Sequence, residues 1–122
     1  MGDRGNIKCG VEKSVWIYSH WHGSSLPVVL QKALNDGRKR WGDESYLNRI
    51  IAQAVMDLDP CRLEWVGISP EMTDNEHHIL EVDHDSQRVR VLSGDDGGRR
   101  VLREWDFAEY VRMPYSELKG VI

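Results

Sequence analysis

The chain has 122 residues, 40% hydrophobic and 30% charged, with a formal net charge of −4. These totals fit one domain with a single core, and the acidic balance argues against a general nucleic-acid coat, which needs a basic surplus. No apolar run approaches the roughly 20 residues that cross a bilayer, and the start lacks a signal peptide's apolar segment, so no membrane partner and a cytoplasmic address are expected.

Residues 1–14 are polar and Gly-rich and read as a flexible arm. Val15, Trp16, Ile17 and Tyr18 are β-branched or aromatic and predict a strand. Apolar side chains on both of its faces make it a central one. It runs into Ser19, His20, Trp21 and His22, and Gly23 turns the chain. Ser24 or Ser25 can cap a helix that carries Pro27 in its first turn. Leu26, Val29, Leu30, Ala33 and Leu34 repeat at helical spacing, and Asn35-Asp36-Gly37 ends the helix.

Arg38-Lys39-Arg40-Trp41-Gly42 is the most basic loop. Asp43 caps a second helix, in which Leu47, Ile50, Ile51, Ala54, Val55 and Leu58 follow the i, i+3, i+4, i+7 rule and Pro60 marks the stop. Tyr46, Arg49 and Gln53 form a polar and aromatic stripe on its neighbouring face. Residues 63–68 read as a strand. Ile79–Asp83 and Arg88–Leu92 read as a hairpin, with Leu80, Val82, Val89 and Val91 inward. Residues 93–100 (SGDDGGRR) read as a flexible tip. Asp106 with Glu109 makes a capping box for a short helix, and Trp105 with Tyr110 a hydrophobic staple. Residues 114–122 read as a tail. The expected fold is α+β: a domain over 15–113 with a small antiparallel or mixed sheet, two main helices packed on one face, and a short C-terminal helix.

Three kinds of chemistry are open to these residues. His20 and His22, two apart on an extended segment, point to one side and can ligate a divalent ion, with His77, His78, His84, Asp83 or Asp85 as further ligands. No HExxH motif or cysteine cluster supports such a centre, so no metal or other cofactor is expected. Cys9 and Cys61 stand far apart without a CxxC spacing and read as two reduced thiols. The second kind is an anion and ring site. Ser19, His20 and Trp21 at the strand end, with Arg40, Trp41, Asp43, Tyr46 and Arg49, supply donors for phosphate and flat surfaces for a base. Its bland counterpart is that Arg40 and Arg49 pair with Asp43 or Glu44 while the rings join the core. The third kind is catalysis, with His20 as general base beside Asp43 or Glu44 and Arg40 or Arg49 stabilising charge. No nucleophile elbow, Walker loop or paired-carboxylate signature accompanies it, so non-catalytic binding is the preferred reading.

The run YSHW…LP…AL…RWGDESYLNRII, from Tyr18 to Ile51, resembles a family of small uncharacterised proteins of bacteriophage and prophage genomes. Gly67-Ile68, ILEVD at Ile79–Asp83 and WDFAEYV at Trp105–Val111 are similar to it as well. That family usually has Gly where His22 stands, a departure that counts against a two-histidine metal site. The resemblance implies a host bacterial cytoplasm and a counter-defence setting. The expectation is then a homo-oligomeric sponge that sequesters a nucleotide-derived immune signal through Ser19, His20, Trp21, Arg40, Trp41, Asp43, Tyr46 and Arg49. The alternatives are a His20-dependent phosphoesterase acting on such a nucleotide, and an inhibitor that blocks a host defence factor through a Trp-rich surface.

Overall fold

The computed structural model describes residues 2–122, and its first element corrects the expected arm: β1 (Gly5–Cys9) is an interior strand of the sheet. It pairs antiparallel with β2 (Val15–Ser19) and parallel with β4 (Ile79–Asp83). Ile7 and Cys9 point into the core and are fully buried, whereas Asn6 and Lys8 point to the other face. Only two apolar side chains, spaced by polar ones and flanked by glycines, mark this strand, too few to register as an apolar run. Gly5 lies so close to the next turn that a Cβ there would sit 2.8 Å from the Gly23 Cα. Gly10, at φ 103°, makes the turn into β2 that an L side chain would strain.

The sheet has six strands in the order β3-β2-β1-β4-β5-β6, completed by β3 (Val66–Ser69), β5 (Arg88–Leu92) and β6 (Val101–Asp106). Only the β1–β4 pair is parallel, so the sheet is mixed. Helices α1 (Leu26–Asp36), α2 (Glu44–Met56), α3 (Phe107–Arg112) and α4 (Tyr115–Leu118) accompany it. This is the α+β fold the sequence predicts.

The core lies between the sheet and the helices. Ile7, Ile17, Leu80, Val82 and Val89 meet Leu26, Leu30 and Leu34 of α1 and Leu47, Ile51 and Val55 of α2, all essentially inaccessible. Each such burial contributes about 1.5–3 kcal/mol. The capping box forms as read, with Asp106 accepting from the Glu109 amide and the Glu109 carboxylate from the Asp106 amide. Residues 114–122 are not a loose tail: Leu118 and Val121 are buried in the core. Nor is 93–100 a free tip. Asp96 accepts from the Ser93 hydroxyl and from the Gly98 and Arg99 amides, and these bonds hold its carboxyl down at about 2.

The opposite face carries charge in register. Lys8, Glu81, Arg90 and Glu104 stand side by side across β1, β4, β5 and β6, and Arg90 also reaches Asp83 at 2.8 Å. The segment 70–78 crosses this face over β2 and β1. It is tied there by Asn6 to the Asp74 carbonyl and by backbone and side-chain bonds between Arg4 and Glu76. Met72 closes over a small cluster of Trp16, Ile79 and Leu92.

Candidate functional site

The two halves of the expected anion and ring pocket lie at opposite ends of the sheet. Ser19, His20 and Trp21 sit where β2 ends, beside Gly5 and the start of α1. Ser19 is buried and its hydroxyl accepts from the His22 amide. The Tyr18 hydroxyl lies 2.8 Å from His20 Nδ1, and the His20 ring meets Trp21 edge-on at 4.8 Å. Trp21 is 42% exposed and leans on Trp65, over which Arg62 lies at 5.1 Å.

The Arg-Trp loop follows the far end of α1, eleven residues and about 16 Å away. Trp41 is half-buried against the core: its Nε1–H donates to the Leu34 carbonyl and its ring packs on Phe107. Arg40 lies 3.4 Å from Asp43 and stacks over Tyr46 at 4.2 Å. Antiparallel packing of α1 on α2 makes the separation, since the loop between two helices turns at the end opposite the entry to the first. The structure therefore brings Ser19, His20 and Trp21 together, and Arg40, Trp41, Asp43 and Tyr46 together, but not the one set with the other. Arg49, on the second turn of α2, joins neither.

The same separation removes the acid partners, Asp43 and Glu44, from His20. Two other histidines do meet carboxylates: His22 contacts Asp59, and His77 contacts Asp3. Asp3 also accepts from the Ser24 hydroxyl and amide. The carboxylate stands between hydroxyl and imidazole, so the imidazole cannot take the serine proton, and the trio is not a nucleophile with its base. Among the described residues no group of three His, Cys, Asp or Glu side chains is arranged to hold a metal ion.

The surface that does assemble is the seam between α2 and β3. Two adjoining cavities of about 300 and 320 Å³ run along it and share Gln53 and Met56. Its apolar side chains come from four separate segments: Val15, Met56, Leu63 and Ile68, exposed by 37%, 37%, 88% and 56%. The seam also borders an edge of the sheet, because β3 pairs only with β2. The His20 amide bonds the Trp65 carbonyl, which fixes the alternation of the β2–β3 ladder: the main-chain groups of Val66 and Ile68 point away from β2.

The two edges of the sheet differ. β6 carries Arg103, Glu104 and Asp106, with a bulge opposite Val91 and Leu92, devices that discourage pairing. β3, Val66-Gly67-Ile68-Ser69, has none of them. The seam carries two arginines and two aspartates. Among the described residues neither the Arg49 nor the Arg62 guanidinium has a hydrogen-bonded or ion-paired partner, while Asp57 accepts from the Gln53 side-chain amide at 2.8 Å and Asp59 contacts His22. Arg49 and Gln53 were legible as a stripe. The apolar residues were not, because each stands alone in its own stretch of sequence.

No protein family, curated protein or solved structure matches the chain. Among the described residues no helix is long and apolar enough to cross a membrane.

Proposed function

We propose that this protein is a non-catalytic binding protein that takes up an extended segment of another protein as an added strand on β3. Of the readings drawn from the sequence, the sponge and the phosphoesterase each need residues that lie at opposite ends of the sheet. Blocking a partner protein needs only a surface. The observation that carries it is the unprotected β3 edge bordered by an apolar groove. Strand addition draws affinity from main-chain hydrogen bonds and specificity from alternate side chains lodged beside the strand. Here those side chains would settle among Ile68, Met56 and Val15, with Trp21, Trp65 and Arg62 at one end as the aromatic and guanidinium groups that dominate binding surfaces.

Unused donors select the occupant. The Arg49 and Arg62 guanidinium groups have N–H donors without acceptors, while the nearby aspartates already have donors, so the segment carries acidic residues beside its apolar ones. The phage resemblance makes the partner a host protein. The test is a titration with a synthetic peptide of alternating Val and Thr ending in Asp-Glu, read by tryptophan fluorescence. The acidic peptide binds, Arg49→Glu weakens it about tenfold, equal to about 1.4 kcal/mol, and Ile68→Lys abolishes it. Equal binding of a Lys-Arg-ended peptide overturns the reading.

A further inference from the structure

The α2–β3 seam has two unlike ends. Asn48, Arg49 and Ala52 line the cavity that Ile68 borders, whereas Asp57, Asp59 and Pro60 line the one that Val66 borders, so α2 and β3 run in opposite directions along it. Their connection, residues 57–65, therefore crosses the seam beside Val66 and closes it there. At the Ile68 end the chain turns away instead: β3 stops at Ser69, and the segment 70–78 leaves over the opposite face of the sheet.

The main-chain edge is short, and its register matches the two cavities. Val66 and Ile68 turn their N–H and C=O groups outward, and the next position in that alternation, Pro70, has no N–H to give. Each outward residue borders one cavity, and the two stand about 6.8 Å apart, the spacing of alternate side chains on a strand laid against them. Three residues of a ligand therefore use the whole edge, with one side chain in each cavity and the one between them facing away. At the closed end the Arg62 guanidinium lies over Trp65, and among the described residues its N–H groups have no acceptor, while Asp57 and Asp59 already hold the Gln53 amide and His22.

We propose that the seam takes the free carboxyl terminus of a partner protein, laid antiparallel to β3. This rests on the strand-addition reading, to which it adds which end of the partner is bound and in which direction. Antiparallel addition continues the pairing that β2 and β3 already have and sets the ligand's last residue opposite Val66, against the closed end. Its apolar side chain enters the cavity of Met56, Leu63 and Val66, and its terminal carboxylate meets Arg62 in a charge-assisted pair. The residue two back enters the cavity of Val15, Ala52 and Ile68. A strand laid parallel would bring an ammonium to the same guanidinium, and an internal segment would have to run on into the 57–65 connection.

The experiment compares the synthetic peptide Glu-Thr-Val-Thr-Val bearing a free terminal carboxylate with the same peptide as its terminal amide. Each is titrated into the full chain and read from backbone NMR shifts. The free acid should bind about tenfold more tightly than the amide, with shifts at Val66 and Ile68. Arg62→Gln, a change at an exposed side chain, should remove the difference between the two peptides, whereas Arg49→Gln weakens both alike. A nitroxide on the peptide's first residue should broaden Val15 and Asn48 and spare residues 60–63. Equal affinity of acid and amide, or broadening of residues 60–63, overturns the chain-end proposal and leaves strand addition standing. If neither peptide moves Val66 and Ile68, strand addition itself fails, and the chain-end proposal with it.

Discussion

Arg90 on β5 lies opposite Glu81 on β4, with Nη1 3.2 Å from Oε1, and Glu81 is 4% exposed. Lys8 holds the other carboxylate oxygen at 3.0 Å. Removing Arg90 leaves that buried carboxylate with Lys8 as its partner and takes the guanidinium from Asp83, a loss bounded by the about 3–5 kcal/mol of a buried charge stripped of every partner. Arg90→Met is therefore expected to cost about 3 kcal/mol in urea unfolding. Arg88→Met, which breaks a more exposed pair with Glu104, costs below about 1 kcal/mol. Equal effects from the two variants would mean that the charged ladder does not hold the sheet.

Tyr110 ties α3 to α1. Its hydroxyl donates to the Pro27 carbonyl at 2.7 Å in a fully buried setting, and burial pushes its ionisation far above the ordinary 10. Tyr110→Phe removes this bond while the Pro27 carbonyl keeps its place in the α1 ladder, and is expected to cost about 0.5–1.5 kcal/mol by thermal or denaturant unfolding. A change within error would show the bond to be replaceable.

The two cysteines should react differently. Cys9 is buried against α1 and α2, and burial pushes its thiol to about 12, whereas Cys61 is exposed in the loop after α2. The thiolate is the nucleophile, so a disulfide reagent at neutral pH should modify one thiol in the folded protein and two in denaturant. Rapid modification of both in the folded protein would place β1 at the surface.

His84 makes stability pH-dependent with a definite sign. Burial lowers its folded-state pKa below the ordinary 6.5, so near and below that value the unfolded chain binds more protons than the native one. Stability is thus full above about pH 6.5 and falls as the pH drops through the interval beneath it. Denaturant midpoints across pH 5–8 for wild type and His84→Gln should diverge in that direction, the variant losing less on acidification. The difference between the two curves isolates His84 from Asp3 and Asp83, whose lowered pKa values add acid sensitivity of their own.

Much of the fold was legible because its signals are local. Leu47, Ile51 and Val55 repeat at helical spacing within thirteen residues of α2, and Asp106 with Glu109 declares the start of α3 over four. β1 was not legible: its turn into β2 is local, but Ile7 and Cys9 alone mark the strand as apolar, and its other partner, β4, lies more than seventy residues away. β6 was hidden in the same way, because its alternating charges answer Arg88 and Arg90 on the neighbouring strand and form no apolar pattern of their own. The expected pocket joined two segments that are neighbours in sequence and face the same kinds of ligand, yet α1 holds them apart. The seam, in contrast, draws Val15, Met56, Leu63 and Ile68 from four places, and nothing short of the folded sheet reveals that they adjoin.

Amide hydrogen exchange at Val66 and Ile68 tests the central claim most directly. Both N–H groups point out from the sheet edge, while those of Gly67 and Ser69 point to β2. In the protein alone, Val66 and Ile68 should exchange fast and Gly67 and Ser69 slowly. Adding the acidic strand peptide should slow the first pair and leave the second unchanged. If Val66 and Ile68 are already protected without peptide, in a manner that deepens with protein concentration, the edge is closed by a second copy of the chain and the proposed partner has no place to bind.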